Sequence, residues 1–179
     1  MSTLVSGIAE VARELARERG GYAVVSLGID PGPGGGMVLG AWKPGEREAD
    51  DVLAWQGSAA EAPGQLDLIL EEYGLLVTCG QVEEFRAGTG PGARGKHATA
   101  TRDAIPVLIS LAAEHGIRLA VRHSSQVMPW ASDKRLREAG LYAATTGKRH
   151  SRAAARHCLY AACHDGGLPD PLSSRWETA

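Results

Sequence analysis

Apolar residues recur along this chain in two rhythms, and the change from one to the other marks its elements. Leu4, Ile8, Val11 and Leu15 are spaced by three and four with Arg and Glu between them, which predicts an amphipathic helix from Ser2 to Arg19, ended by Gly20-Gly21. Its apolar stripe has to be buried, either outside the main sheet or against a partner subunit. From Tyr22 the pattern becomes a continuous apolar run, Ala23 to Ile29, which stops at Asp30-Pro31-Gly32 and predicts a buried strand. Gly34-Gly35-Gly36 turns the chain, Met37 to Trp42 returns, and Val52 to Gln56 follows as the third strand of an antiparallel meander. Pro63 to Tyr73 predicts a helix and Leu75 to Phe85 a strand, while Gly88 to Gly95 is too rich in Gly and Pro for regular structure and predicts a mobile loop. Ala98 to His115 has helical spacing despite Pro106, which either kinks it or marks its start. Ile117 to Val121 gives a fifth strand, Ser132-Asp133 opens a short charged helix to Ala139, and Arg149 to His164 forms a last helix closed by Gly166-Gly167 and Pro169.

That order predicts an α/β fold with one mixed five-stranded sheet flanked by helices. With 179 residues, 44% of them hydrophobic, the chain can bury one good core but not two. The expected organisation is the N-terminal amphipathic helix over 1–21, one domain over 22–170, and a flexible tail over 171–179. Cys79, Cys158 and Cys163 are an odd number without metal-ligand spacing, which favours a reducing cytosol over disulfides or structural zinc. No segment is apolar for long enough to span a membrane, and the charged N-terminus does not resemble a signal peptide. The expectation is a cytoplasmic protein with no membrane partner.

Charge changes the picture through its placement. The net value is −2, yet residues 1–84 hold 5 Lys and Arg against 14 Asp and Glu, and residues 85–157 hold 13 against 4. A basic segment of that kind binds phosphates by releasing counterions, although an ordinary solvated surface with Arg-rich helices has the same composition.

The candidate chemistry sits where strands end. Asp30 follows a buried strand and precedes backbone that a ligand can approach closely, which suits a hard cation bound through oxygen. An Asx turn closing the hairpin explains the same residue. Val82-Glu83-Glu84-Phe85 ends a second strand-like run in acid, and period-two alternation lets only one of the two glutamates share the face of Asp30. Glu83 is the first choice and Glu84 the fallback. On the last helix His150, Ala153 or Ala154, and His157 share a face at spacings of three and four.

Leu27-Gly28-Ile29-Asp30-Pro31-Gly32 resembles the first-strand motif of the RuvC-type Holliday junction resolvases. Val82-Glu83-Glu84-Phe85 is similar to that family's second acidic strand. His123-Ser124-Ser125-Gln126-Val127 with Lys134-Arg135-Leu136 is similar to the segment before its last helix, and Gly147-Lys148-Arg149-His150-Ser151-Arg152-Ala153-Ala154-Ala155-Arg156-His157 to its closing motif. The resemblance runs from residue 22 to about 165, looks closest to the bacteriophage-type branch, and implies the RNase H-like (integrase) superfold.

The family pattern also carries a departure, because it calls for Asp where this chain has Ala153. The expectation is an Asp-to-Ala replacement that silences cutting, against the alternative of a natural chain lacking the acid. What the resemblance implies is a metal-dependent endonuclease that resolves four-way junctions as a homodimer, in a bacterial or phage-infected cytoplasm, with the helix from Ala98 to His115 as candidate dimer surface. Two Mg²⁺ ions, or Mn²⁺, would be held by Asp30, Glu83, His150 and the missing acid at 153. DNA contacts would come from Arg86, Arg94 and Lys96 in the Gly-rich loop, and from Lys148, Arg149, Arg152, Arg156 and His157. The competing expectations are a flap, fork or RNA–DNA hybrid nuclease of the same fold and a non-catalytic binder of branched DNA. A sugar-kinase-like or actin-like ATPase shares the Gly-rich turn after the first strand, but the chain is short for two lobes and lacks a second phosphate loop.

Overall fold

The continuous apolar runs become the centre of a sheet, and the computed structural model describes residues 21–32, 34–85 and 96–177. The predicted helix over 1–20 lies outside those residues, as does the stretch 86–95 of the Gly-rich loop with Arg86 and Arg94. Five strands form, β1 (Val24–Asp30), β2 (Gly36–Trp42), β3 (Asp51–Gln56), β4 (Cys79–Glu83) and β5 (Leu119–Arg122). Their order is β3-β2-β1-β4-β5. The first three pair as an antiparallel meander, and β4 and β5 join parallel to β1. The helices are α1 (Ala62–Tyr73), α2 (Lys96–Glu114), α3 (Ser124–Val127), α4 (Asp133–Glu138), α5 (Leu141–Ala144) and α6 (Arg149–His164). This is the mixed five-stranded sheet with flanking helices that the sequence predicts.

Alternation along the central strands divides the core in two. Val25, Leu27 and Ile29 of β1 face Leu66, Ile69 and Leu70 of α1 and Leu108 and Ala112 of α2. The other face carries Val24, Val38 and Trp42 against Ala154, Cys158, Leu159 and Ala162 of α6, with Leu136 and Leu141 beside them. α2 continues unbroken through Pro106, with Ala104, Leu108 and Ala112 buried. An internal Pro costs about 3 kcal/mol, and burial of one Leu offsets about 1.5–3 kcal/mol, so several packed residues outweigh the lost backbone bond.

Strand β4 begins at Cys79 rather than Leu75, because Leu75 and Leu76 form the turn that ends α1. The short helices α3 and α5 have too few residues to show a period. α3 begins with His123 as its cap, whose side chain accepts from Ser125 N. Pro171 is buried, and the Trp176 indole donates to the Asp170 carbonyl at 2.9 Å. Asp170 is itself gripped by Arg135, which donates from Nε and Nη2 at 2.9 Å each. That guanidinium holds the Asp170 carboxyl below its ordinary range.

Candidate active site

The site is built where α6 crosses the carboxyl ends of β1 and β4. Glycines let the helix come close. A Cβ on Gly28 would lie 2.1 Å from the Ala154 carbonyl oxygen, and one on Gly36 would lie 2.3 Å from the His150 carbonyl. Ser26 and Cys158 lock the contact, since Ser26 Oγ donates to the Cys158 carbonyl at 2.8 Å and Cys158 Sγ donates to the Ser26 carbonyl at 3.2 Å. The first turn of α6 has no side-chain cap of its own. Gln56 at the end of β3 supplies one, its Oε1 accepting from His150 N at 2.9 Å and Ser151 N at 3.3 Å.

This approach brings His150 onto Asp30. His150 Nδ1 lies 2.9 Å from Asp30 Oδ2, while Asp30 Oδ1 accepts from Gly32 N at 2.9 Å. The Asx turn and the polar pair therefore coexist, one on each carboxylate oxygen. The imidazole lies on the turn after β1, where a Cβ on Gly32 would meet its Nδ1 at 2.9 Å and one on Gly34 its Cδ2 at 2.5 Å. Glycine at 32 and at 34 leaves the room that this ring takes up. Asp30 keeps lone pairs for a further ligand, because an ionised carboxylate offers about four acceptor positions.

Glu83 comes to the same face. The β1–β4 register pairs Gly28 with Gln81 and Ile29 with Val82, so one further step sets Glu83 beside Asp30 across a strand spacing of about 4.8 Å. Its side chain is 20% exposed and its Oε2 lies 3.4 Å from His157 Nε2. Glu84 follows on the opposite parity, and its N–H donates to the Arg122 carbonyl at 2.9 Å. Of the two helix positions left open by spacing, Ala154 is fully buried against Gly28, and Ala153 is the half-buried one, one turn from both histidines. A carboxylate at 153 would have room that one at 154 would not.

The expected DNA contacts divide. Arg149 is exposed and makes no hydrogen bond or ion pair with the described residues, and the exposed Lys148 makes only a 3.5 Å contact with the Ala54 carbonyl. Arg152 donates to Thr145 Oγ1 at 2.7 Å and the Tyr142 carbonyl at 3.0 Å and lies over the Tyr142 ring. Arg156 donates to Asp133 at 2.6 Å and to the Ala131 carbonyl at 3.2 Å. Both guanidiniums are thus engaged in tying α6 to its neighbours. His157, expected at the DNA surface, is instead completely buried, and a ring with no exposed surface cannot touch a phosphate in this conformation. Lys96 opens α2. Gln81 and Arg122, absent from the expectations, lie behind Glu83 and carry no motif that would have marked them.

Among the described residues no three His, Cys, Asp or Glu side chains come together as a group able to hold a metal ion. Asp30 pairs with His150 and Glu83 with His157, and the three residues Asp30, Glu83 and His150 do not close into an ion site in this chain.

No family model and no curated protein matches this sequence. Solved structures do. The Thermus thermophilus RuvC in complex with Holliday junction substrate is similar at TM-score 0.52 and 20% identity, over 76% of this chain and 90% of that one. A second T. thermophilus RuvC structure is similar at TM-score 0.51 and 20% identity, over 76% and 92%. This chain has the RuvC fold. The RuvC likeness spans nearly the whole of those proteins. No described helix is long and apolar enough to cross a membrane.

Proposed function

We propose that this chain is a RuvC-type, structure-selective endonuclease acting on four-way DNA junctions, in a form silenced by Ala153. The observation that supports the proposal is the Asp30–His150 pair on a RuvC fold, with Glu83 at the end of the neighbouring strand on the same face of the sheet and Ala153 one helical turn beyond His150. An Ala153→Asp substitution would add the carboxylate that the group lacks for divalent ions. In the completed group, Asp30, Glu83, His150 and that acid would hold Mg²⁺ or Mn²⁺, which when bound supply a deprotonated water and charge stabilisation for phosphodiester hydrolysis. The residues of this chain contribute orientation: Asp30 is fixed by the Gly32 amide and His150, and α6 is fixed by Gln56.

Lys148 and Arg149, exposed at the start of α6, are the proposed phosphate contacts beside this face, with Arg86, Arg94 and Lys96 as further contributors. Paired cuts on a symmetric junction need two sites, so the reading includes a homodimer, with α2 as its candidate surface.

The test compares binding and cutting of four-way junctions, forks, flaps and RNA–DNA hybrids by the chain and its Ala153→Asp form. Junction affinities should agree within about threefold, because Lys and Arg supply most of the binding free energy. Cutting should be strongest on four-way junctions; strong cutting of another substrate with junctions left intact would reassign the activity within the fold. Ala153 itself favours one second reading, a non-catalytic binder of branched DNA, which predicts junction binding and no cutting by either form.

A further inference from the structure

Behind Glu83 lies a buried polar chain that the proposed chemistry does not use. Gln81 and His157 are both completely buried. With the Gln81 amide turned to satisfy its neighbours, its oxygen accepts from Arg122 Nε at 2.6 Å, and its nitrogen donates to His157 Nδ1 at 3.1 Å and to the His157 carbonyl at 3.2 Å. Arg122 is held in turn by Asp165, at 3.0 Å from Nη2. A guanidinium only donates, so Arg122 fixes which end of the amide faces it; the amide then presents N–H to the imidazole. Nδ1 must accept, and a neutral ring that accepts at Nδ1 carries its proton on Nε2. That nitrogen has no hydrogen-bond partner and lies 3.4 Å from Glu83 Oε2, off the line needed to donate. Buried polar atoms are rarely left unmatched, and this one faces a single acceptor.

We propose that His157 is a positioning residue for Glu83: the Arg122–Gln81 pair sets the buried imidazole as its Nε2–H tautomer, and that N–H steadies the carboxylate on the face it shares with Asp30. The role rests on the nuclease reading for its purpose but not for its existence. A small rotation of Glu83 closes the hydrogen bond on one oxygen and leaves the other directed at the site. Groups of this kind, bonded behind a ligating carboxylate, commonly change ion affinity about 10- to 100-fold when removed.

The first test needs no metal. Imidazole ¹⁵N–¹H correlation spectra of the chain should show His157 as the Nε2–H tautomer, should shift that signal in Glu83→Gln, and should show a tautomer mixture in Gln81→Leu. An Nδ1–H ring, or an Nε2–H signal indifferent to Glu83→Gln, overturns the proposal whatever becomes of the nuclease reading. The second test titrates Mn²⁺ into the Ala153→Asp chain by calorimetry. Adding His157→Leu should weaken binding about 10-fold or more, whereas His157→Gln, whose amide nitrogen can stand in for Nε2, should stay within about threefold. Unchanged affinity in a folded His157→Leu protein overturns the positioning role. If the Ala153→Asp chain takes up no Mn²⁺ at all, the nuclease reading fails and the spectra alone decide this one.

Discussion

The two faces of the sheet solve different problems. Against α1 and α2 the strands present Val25, Leu27, Ile29, Met37 and Leu39, and large aliphatic side chains meet in an ordinary close-packed core. Against α6 the same strands present Gly28, Gly36, Ser26 and Gln81, and the helix replies with Ala154, Cys158 and His157. Bulk on the first face holds the sheet together. The second face has its own bulk at Val24, Val38 and Trp42, but the gaps at Gly28 and Gly36 let the helix backbone rest on the strands, and so fix His150 and position 153 relative to Asp30 and Glu83. The first face can relax around a change in volume, whereas the second has backbone on both sides and little freedom to move.

The comparison breaks if bulk is tolerated at Gly28. A Gly28→Val side chain would start 2.1 Å from one α6 backbone atom and 2.3 Å from another, so a loss of about 3 kcal/mol or more is expected by urea unfolding. A Leu66→Ala change on the opposite face should cost about 2–5 kcal/mol, by transfer and cavity formation. Junction binding by the Leu66→Ala protein, measured where it is still folded, should match the parent. Lost binding there would mean that the two faces are not separable.

Gln56→Ala probes the cap alone and should cost about 0.5–2 kcal/mol, since two amides at the start of α6 lose their acceptor. Asp170 lies outside both faces and serves as a pH control. Its carboxyl is lowered by Arg135, so its contribution is present above the ordinary Asp value of about 4 and fades as pH falls through the lowered value. The stability gap between the parent and Asp170→Asn should therefore shrink toward zero on acidification below about pH 4, by urea titration at successive pH values. The smallest effect is chemical. Burial pushes the thiols of Cys79 and Cys158 up, and that of Cys163 up to about 12, so alkylation at pH 8 should be slow until the protein is unfolded.

Much of this was legible in the sequence because strand parity is strict. Once Asp30 and Glu83 end strands that lie side by side, alternation chooses Glu83 over Glu84 for the α6 face. The order of strands and long helices followed from the apolar runs for the same reason. His157 shows where pattern stops. Coming directly after Arg152 and Arg156 it looks like part of a basic surface, but those arginines turn to Tyr142 and Asp133, and the imidazole beyond them points into the sheet. A helical period places His150 and His157 on one face without saying how far that face is buried. Gln81 and Arg122 left no trace at all, because an amide and a guanidinium become a relay only through partners 76 and 43 residues away.

The most direct measurement is the cleavage of an end-labelled four-way junction by the Ala153→Asp chain beside the unmodified one, with Mg²⁺ and then Mn²⁺. Paired, symmetry-related nicks by the substituted chain and none by the parent are expected. Equal nicking by both, or none by the substituted chain with either ion while it still binds the junction, would contradict a nuclease site one acid short of complete.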